Sequence, residues 1–69
     1  AILGEQGTTP AAGGQVYVGT AASASTVAGV VYTTNYNSEC ITATNWKFAA
    51  AKFAPLTGTY YVVEVEYTG

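Results

Sequence analysis

The chain has 69 residues, of which 49% are hydrophobic and only 9% charged, with a net charge of −2. That length allows one domain, and a single core of this size leaves folding marginal. With one cysteine and no histidine, neither an internal disulfide nor the usual four-ligand zinc site is available as a staple. The remaining source of stability is association, with copies of itself or with a larger partner.

Charge supports the same expectation. Ordinary soluble proteins are roughly 25% charged, and this chain offers two lysines and four glutamates. Lys47 and Lys52 are too few to displace counterions from a phosphate backbone, so nucleic acid is not an expected partner. Anionic lipid is excluded for the same reason. No apolar run of about 18 residues crosses a membrane as a helix, and no charged segment followed by an apolar stretch marks a signal peptide. Methionine is absent; Ala1 is expected to be a processed end, left by removal of an initiator or by cleavage of a precursor.

Residues 1–14, AILGEQGTTPAAGG, show neither a helical nor a strand period. Gly4, Gly7, Gly13 and Gly14 make ordering this stretch alone costly. It is expected to be an extended arm, either frayed or laid across a neighbouring subunit and anchored by its large apolar residues, Ile2 and Leu3. Residues 15–69 form the single small β domain.

Residues 15–20 predict a short strand with Val16 and Val18 on one face, and 21–25 a small polar loop. Residues 26–34 predict a second strand, apolar on both faces, in which Gly29 marks a bulge or a close backbone approach. Asn35-Tyr36-Asn37-Ser38 is the clearest turn, because Asn accepts left-handed backbone angles and Asn and Ser bond their own backbone; it is expected to join two antiparallel strands. Residues 39–44 resume an extended pattern. Residues 45–54 carry two competing periods. Trp46, Ala49, Ala50 and Phe53 recur at helical spacing, while Thr44, Trp46, Phe48 and Ala50 share one face of a strand. The alanine run 49–51 tips the reading toward a short helix stopped by Pro55.

The most regular segment is 58–68, GTYYVVEVEYT. Tyr61, Val63, Val65 and Tyr67 fall on one face, and Tyr60, Val62, Glu64, Glu66 and Thr68 on the other. Val and Tyr favour strands, so this segment predicts a strand with an apolar inner face that the rest of the domain must cover. The fold expected is mainly β: a small antiparallel sheet or sandwich of about four short strands.

Chemistry finds little purchase. Without histidine there is no Ser-His or Cys-His pair. Cys40 follows an acid and lacks an activating base, so it reads as a small apolar residue under the sheet. Glu64 and Glu66 share a face at a spacing of roughly 6–7 Å, as any E-x-E on a strand does, and read as a solvated or guarded face. No phosphate-loop, metal-ligand or N-glycosylation motif is present. An enzyme, and any cofactor or metal, is therefore not expected. Trp46, Phe48, Phe53 and Tyr61 read as core. Tyr36 in the turn and Tyr60 on the wetter face are the better candidates for outside contacts.

The glycine-rich opening, the Thr/Ala/Gly/Tyr-rich composition, the short strands and the missing leading methionine resemble the small head, decoration and fibre proteins of phage virions. The resemblance implies a subunit built into a shell or fibre, working by contacts and without chemistry. The contacts expected are Ile2 and Leu3 in the arm, Tyr36 in the turn, and Tyr60 with Val62 on the last strand. An extracellular filament or surface-layer subunit shares the composition. A small carbohydrate- or ligand-binding module is the alternative from another class, with Tyr36, Tyr60 and Trp46 as stacking platforms and Glu64 and Glu66 as acceptors.

Overall fold

The structure, a computed structural model, describes residues 1–4, 9–23, 25–58 and 60–69, with the side chains of 51–53 and 57 outside that description. Among the described residues, five strands follow in order: β1 (Ile2–Leu3), β2 (Gln15–Gly19), β3 (Val31–Tyr32), β4 (Cys40–Thr57) and β5 (Tyr60–Tyr67). They close into a barrel in the order β1-β3-β2-β4-β5, with β5 returning to β1. The expected mainly β fold is thus present, closed rather than open. All neighbours are antiparallel except β1 and β3. Closure removes the unpaired strand edges that an open sheet of this size would present.

Each strand supplies one side chain to the buried centre: Leu3, Val16, Val31, Phe48 and Val63, with Val18, Ala43, Tyr61 and Val65 packed around them. This is the period-two pattern expected of β2 and β5, carried into three dimensions. On β5 it holds from Tyr61 to Val65; Tyr67 runs past the core and is exposed.

Residues 45–54 are strand, not helix. They belong to β4, an 18-residue strand whose first part pairs with β2 and whose second part pairs with β5. Pairing of the residues on either side of the alanine run, 46–48 and 53–55, with β5 overrides its helical preference. That run marks where β4 changes direction. Phe48 opposes Val65 and Phe53 opposes Val63, so four residues of β4 stand against one of β5. A bulge of this kind bends a strand sharply, which lets one strand serve two sides of a small barrel. Phe53, read as core from the sequence, has its side chain outside the described residues.

A second bulge lies between Ala43 and Lys47, opposite the step from Gln15 to Val16. The Gln15 amide donates to the Ala43 and Trp46 carbonyls there, and Lys47 Nζ donates to Gln15 Oε1 at 2.7 Å. A single side chain thereby satisfies two of the carbonyls around the bulge.

Two further expectations change. Residues 26–34 form a strand only at Val31–Tyr32; the residues before it fold as a loop across the outside of β2 and β3. The turn at 35–38 is present, as one 3-10 turn with Asn37 at φ 51°, in the left-handed region that Asn tolerates. It links β3 to β4, but these do not pair, because β2 lies between them.

The described part of segment 1–14 is built into the barrel and does not extend from it. β1 lies between β3 and β5, Pro10 is fully buried, and Gly13 and Gly14 exchange backbone bonds with Phe48 at 2.8 and 2.9 Å. Gly7 lies outside the described residues.

Candidate interaction surface

The five residues expected to make outside contacts separate into three places. Leu3 is 3% exposed and sits in the core, so in this fold it is not available to a partner. The reason is its place on β1, where its register partners are Val31 and Tyr61. Tyr36 is half-buried and stacks on Tyr32, with ring centroids 5.9 Å apart and planes 3° from parallel. That stack holds the 35–38 turn against β3.

Ile2, Val62 and Tyr60 come together. Ile2 and Val62 are direct partners across β1 and β5, and Ala54 of β4 is the partner of Val62 on its other side. Tyr60, half-buried, follows on the same face of β5. The register slips by one residue between Pro55 and Thr57, opposite Tyr60, which leaves Leu56 as an extra residue beside it. Ile2, Val62 and Leu56 are 36%, 44% and 52% exposed. Three large apolar side chains and an alanine thus face outward on neighbouring strands. Leu56 escaped the sequence reading because it lies between Pro55 and Gly58, which read locally as breakers.

A second exposed feature lies at the opposite end of the β4–β5 hairpin. Trp46 and Tyr67 are cross-strand partners in edge-to-face contact, with centroids 5.4 Å apart. Both are exposed, so Trp46 is not the core residue expected. Glu64 and Glu66 are exposed on the outer face of β5, with Glu66 opposite Lys47. Cys40 is half-buried in register with Gly19, and its N–H donates to Asn35 Oδ1 at 2.9 Å.

The titratable group with the most constrained environment is one the sequence did not single out. Glu39 is 4% exposed. Its Oε1 accepts from the Ser25 and Thr26 N–H groups, both at 3.2 Å, and from Thr26 Oγ1 at 3.1 Å. Its backbone oxygen accepts from Thr20 N–H at 2.9 Å and Thr20 Oγ1 at 2.6 Å. One residue therefore ties the start of the loop between β2 and β3, at Thr20, to its middle, at Ser25 and Thr26. Its donors lie 13 to 19 residues away, which is why no local pattern announced it.

Burial pushes the Glu39 carboxyl up. Hydrogen bonds from Ser23, Ser25 and Thr26 outweigh it and hold the carboxyl below its ordinary value of 4.5. A lowered value in the folded state contributes stability that is complete above pH 4.5. That stability is lost as pH falls through the lowered value. The gap in urea midpoint between the wild type and Glu39→Gln should therefore narrow on going from neutral pH into acid. A gap that stays constant down to pH 3, roughly a unit below the ordinary range, would remove this role from Glu39.

Among the described residues, no group of three or more His, Cys, Asp or Glu is placed to hold a metal ion, and no helix is long and apolar enough to cross a membrane. Comparison with protein families, with characterised proteins and with solved structures finds no match to this chain.

Proposed function

We propose that this chain is a non-enzymatic structural subunit of a larger assembly, a virion component of the decoration, minor-capsid or fibre kind, acting through subunit contacts. The observation that carries the reading is the outward cluster of Ile2, Val62 and Leu56 on adjoining strands. Single exposed apolar residues are ordinary, whereas neighbouring ones mark contact surfaces. The shortage of charge elsewhere on the chain leaves little to keep such a cluster in solvent.

The test replaces Val62 and Leu56 together by serine and follows sedimentation. The wild type is expected to sediment as a multimer at high concentration and the variant as a monomer. Both positions are exposed, so thermal unfolding of the variant should shift by no more than about 1 kcal/mol. A wild type that stays monomeric at every concentration would defeat the proposal.

A second reading, a small carbohydrate- or ligand-binding module, draws support from the Trp46–Tyr67 pair, whose rings are exposed at one end of the hairpin. It requires a ligand-dependent change in Trp46 fluorescence in a monomeric protein.

A further inference from the structure

We infer that Lys47 and Gln15 become joined by an isopeptide bond: the lysine amine displaces ammonia from the glutamine carboxamide and staples β2 covalently to β4. The bond lies within one chain and is independent of the subunit reading above.

Three side chains of complementary chemistry fall in one row. Gln15 on β2 is the register partner of Lys47 on β4, and Lys47 is the register partner of Glu66 on β5. Residues directly opposite each other on antiparallel strands project from the same face, with Cβ atoms about 4.5–5.5 Å apart. Across three neighbouring strands the row therefore holds a carboxamide, an amine and a carboxylate. Chemically these are an electrophile, a nucleophile and a proton acceptor.

The first two are in contact. Lys47 Nζ donates to Gln15 Oε1 at 2.7 Å. The carboxamide carbon is one C=O bond, about 1.23 Å, beyond that oxygen, which puts it within about 3.9 Å of Nζ. Reacting atoms about 3–3.5 Å apart are in a near-attack arrangement, so a small turn of the lysine chain carries the amine from the oxygen to the carbon. The carboxamide is held meanwhile. Its Nε2 donates to the Val16, Ala43 and Trp46 carbonyls, and the bond from Lys47 draws electron density toward Oε1. Reactants held in this way reach effective molarities of about 10⁵–10⁸ M, which is what lets an otherwise inert carboxamide react.

The step balances without a co-reactant. The Glu66 carboxylate takes one proton from the Lys47 ammonium. The freed lone pair on Nζ forms a bond to Gln15 Cδ, and the Cδ–Nε2 bond breaks with its electron pair on Nε2. A second proton passes from Nζ to Nε2, and the ammonia recovers the proton held by Glu66 and leaves as ammonium. Nothing is oxidised or reduced. Gln15 and Lys47 are both half-buried, so the pair is partly sheltered while the small product can escape. The chain has a single cysteine and no histidine, and this link supplies the staple that neither can. Joining residues 15 and 47 closes a loop and restricts the unfolded chain as a disulfide does.

The test weighs the full-length chain. After folding, prolonged incubation and denaturation in urea, the wild type is expected to be lighter than its sequence by one ammonia. Trypsin should then cut after Lys52 but not after Lys47, so that both residues are recovered in peptide 1–52 carrying the same loss. Lys47→Arg, which keeps the charge, and Gln15→Met, which removes the carboxamide, should both keep full mass. Glu66→Gln, at an exposed position, should form the link about 100-fold more slowly, the low end for a positioned proton acceptor. A wild type that stays at full mass overturns the inference. Ammonia loss that leaves Lys47 open to trypsin overturns it as well, because the loss then lies elsewhere. The same holds for loss at an equal rate in urea, where the row of side chains does not exist. Equal rates in the wild type and Glu66→Gln overturn the proton relay.

Discussion

Phe48→Ala is expected to leave the chain unfolded at room temperature. Phe48 is 1% exposed and stands where β4 passes from β2 to β5. Its N–H and carbonyl hold Gly14 and Gly13 on one side, and its partner across the hairpin is Val65. Truncating a buried phenylalanine costs about 3–5 kcal/mol, and a core of this size rarely supplies more than about 3–5 kcal/mol in total. Far-UV circular dichroism should show loss of the strand signal, while Phe48→Leu, which keeps most of the volume, should retain a cooperative melt at lower temperature. If the alanine variant melted within about 1 kcal/mol of wild type, the barrel interior would not be the seat of stability.

The second large effect falls outside the barrel. Tyr32 is buried on the outer face of β3, between the backbones of Gly4 and Gly19. A Cβ on Gly4 would lie 2.5 Å from the Tyr32 ring, and one on Gly19 would lie 2.6 Å from Val27 O and 2.9 Å from the ring. The tyrosine rests on β1 and β2 because these two positions have no side chain. Its hydroxyl accepts from Val27 N–H at 3.0 Å, and Tyr36 stacks on its ring. Tyr32→Ala is expected to cost about 3–5 kcal/mol, as for other large buried aromatics. Tyr32→Phe removes only the bond to Val27, about 0.5–1.5 kcal/mol. Chemical denaturation of the two variants side by side measures the difference. Equal effects would mean that the ring contributes nothing beyond its hydroxyl.

These two residues show what the sequence made legible and what it did not. The strand at 60–67 was readable because eight residues display several cycles of a two-residue period, and β2 was readable for the same reason. β1 and β3 have two residues each, and two residues contain no period. Residues 45–54 satisfied a helical and an extended pattern at once, and the choice was made by β2 and β5, which pair with β4 from distant parts of the chain. Tyr32 looked like one face of a longer strand, because nothing local says that Gly4 and Gly19 will flank it. Of the surface residues, Val62 and Tyr60 were identifiable as large side chains outside the inner face of the last strand, and Ile2 only as a large apolar side chain in a segment with no period. Leu56 sits between two local breakers, Pro55 and Gly58, Leu3 proved to be core, and Glu39 acquired its role through bonds to a loop earlier in the chain.

The pairing of Ile2 with Val62 and of Leu3 with Tyr61 also fixes an order of events on the ribosome. β1 is translated before its antiparallel neighbour, which emerges 58 residues later, the separation of Leu3 and Tyr61. At about 5–20 residues per second that is a wait of about 3–12 s. Throughout it the nascent polypeptide carries Ile2 and Leu3 without the stave they pair with. On a polysome, several such unfinished chains stand near one another, each with β1 unpaired on that side until β5 is made.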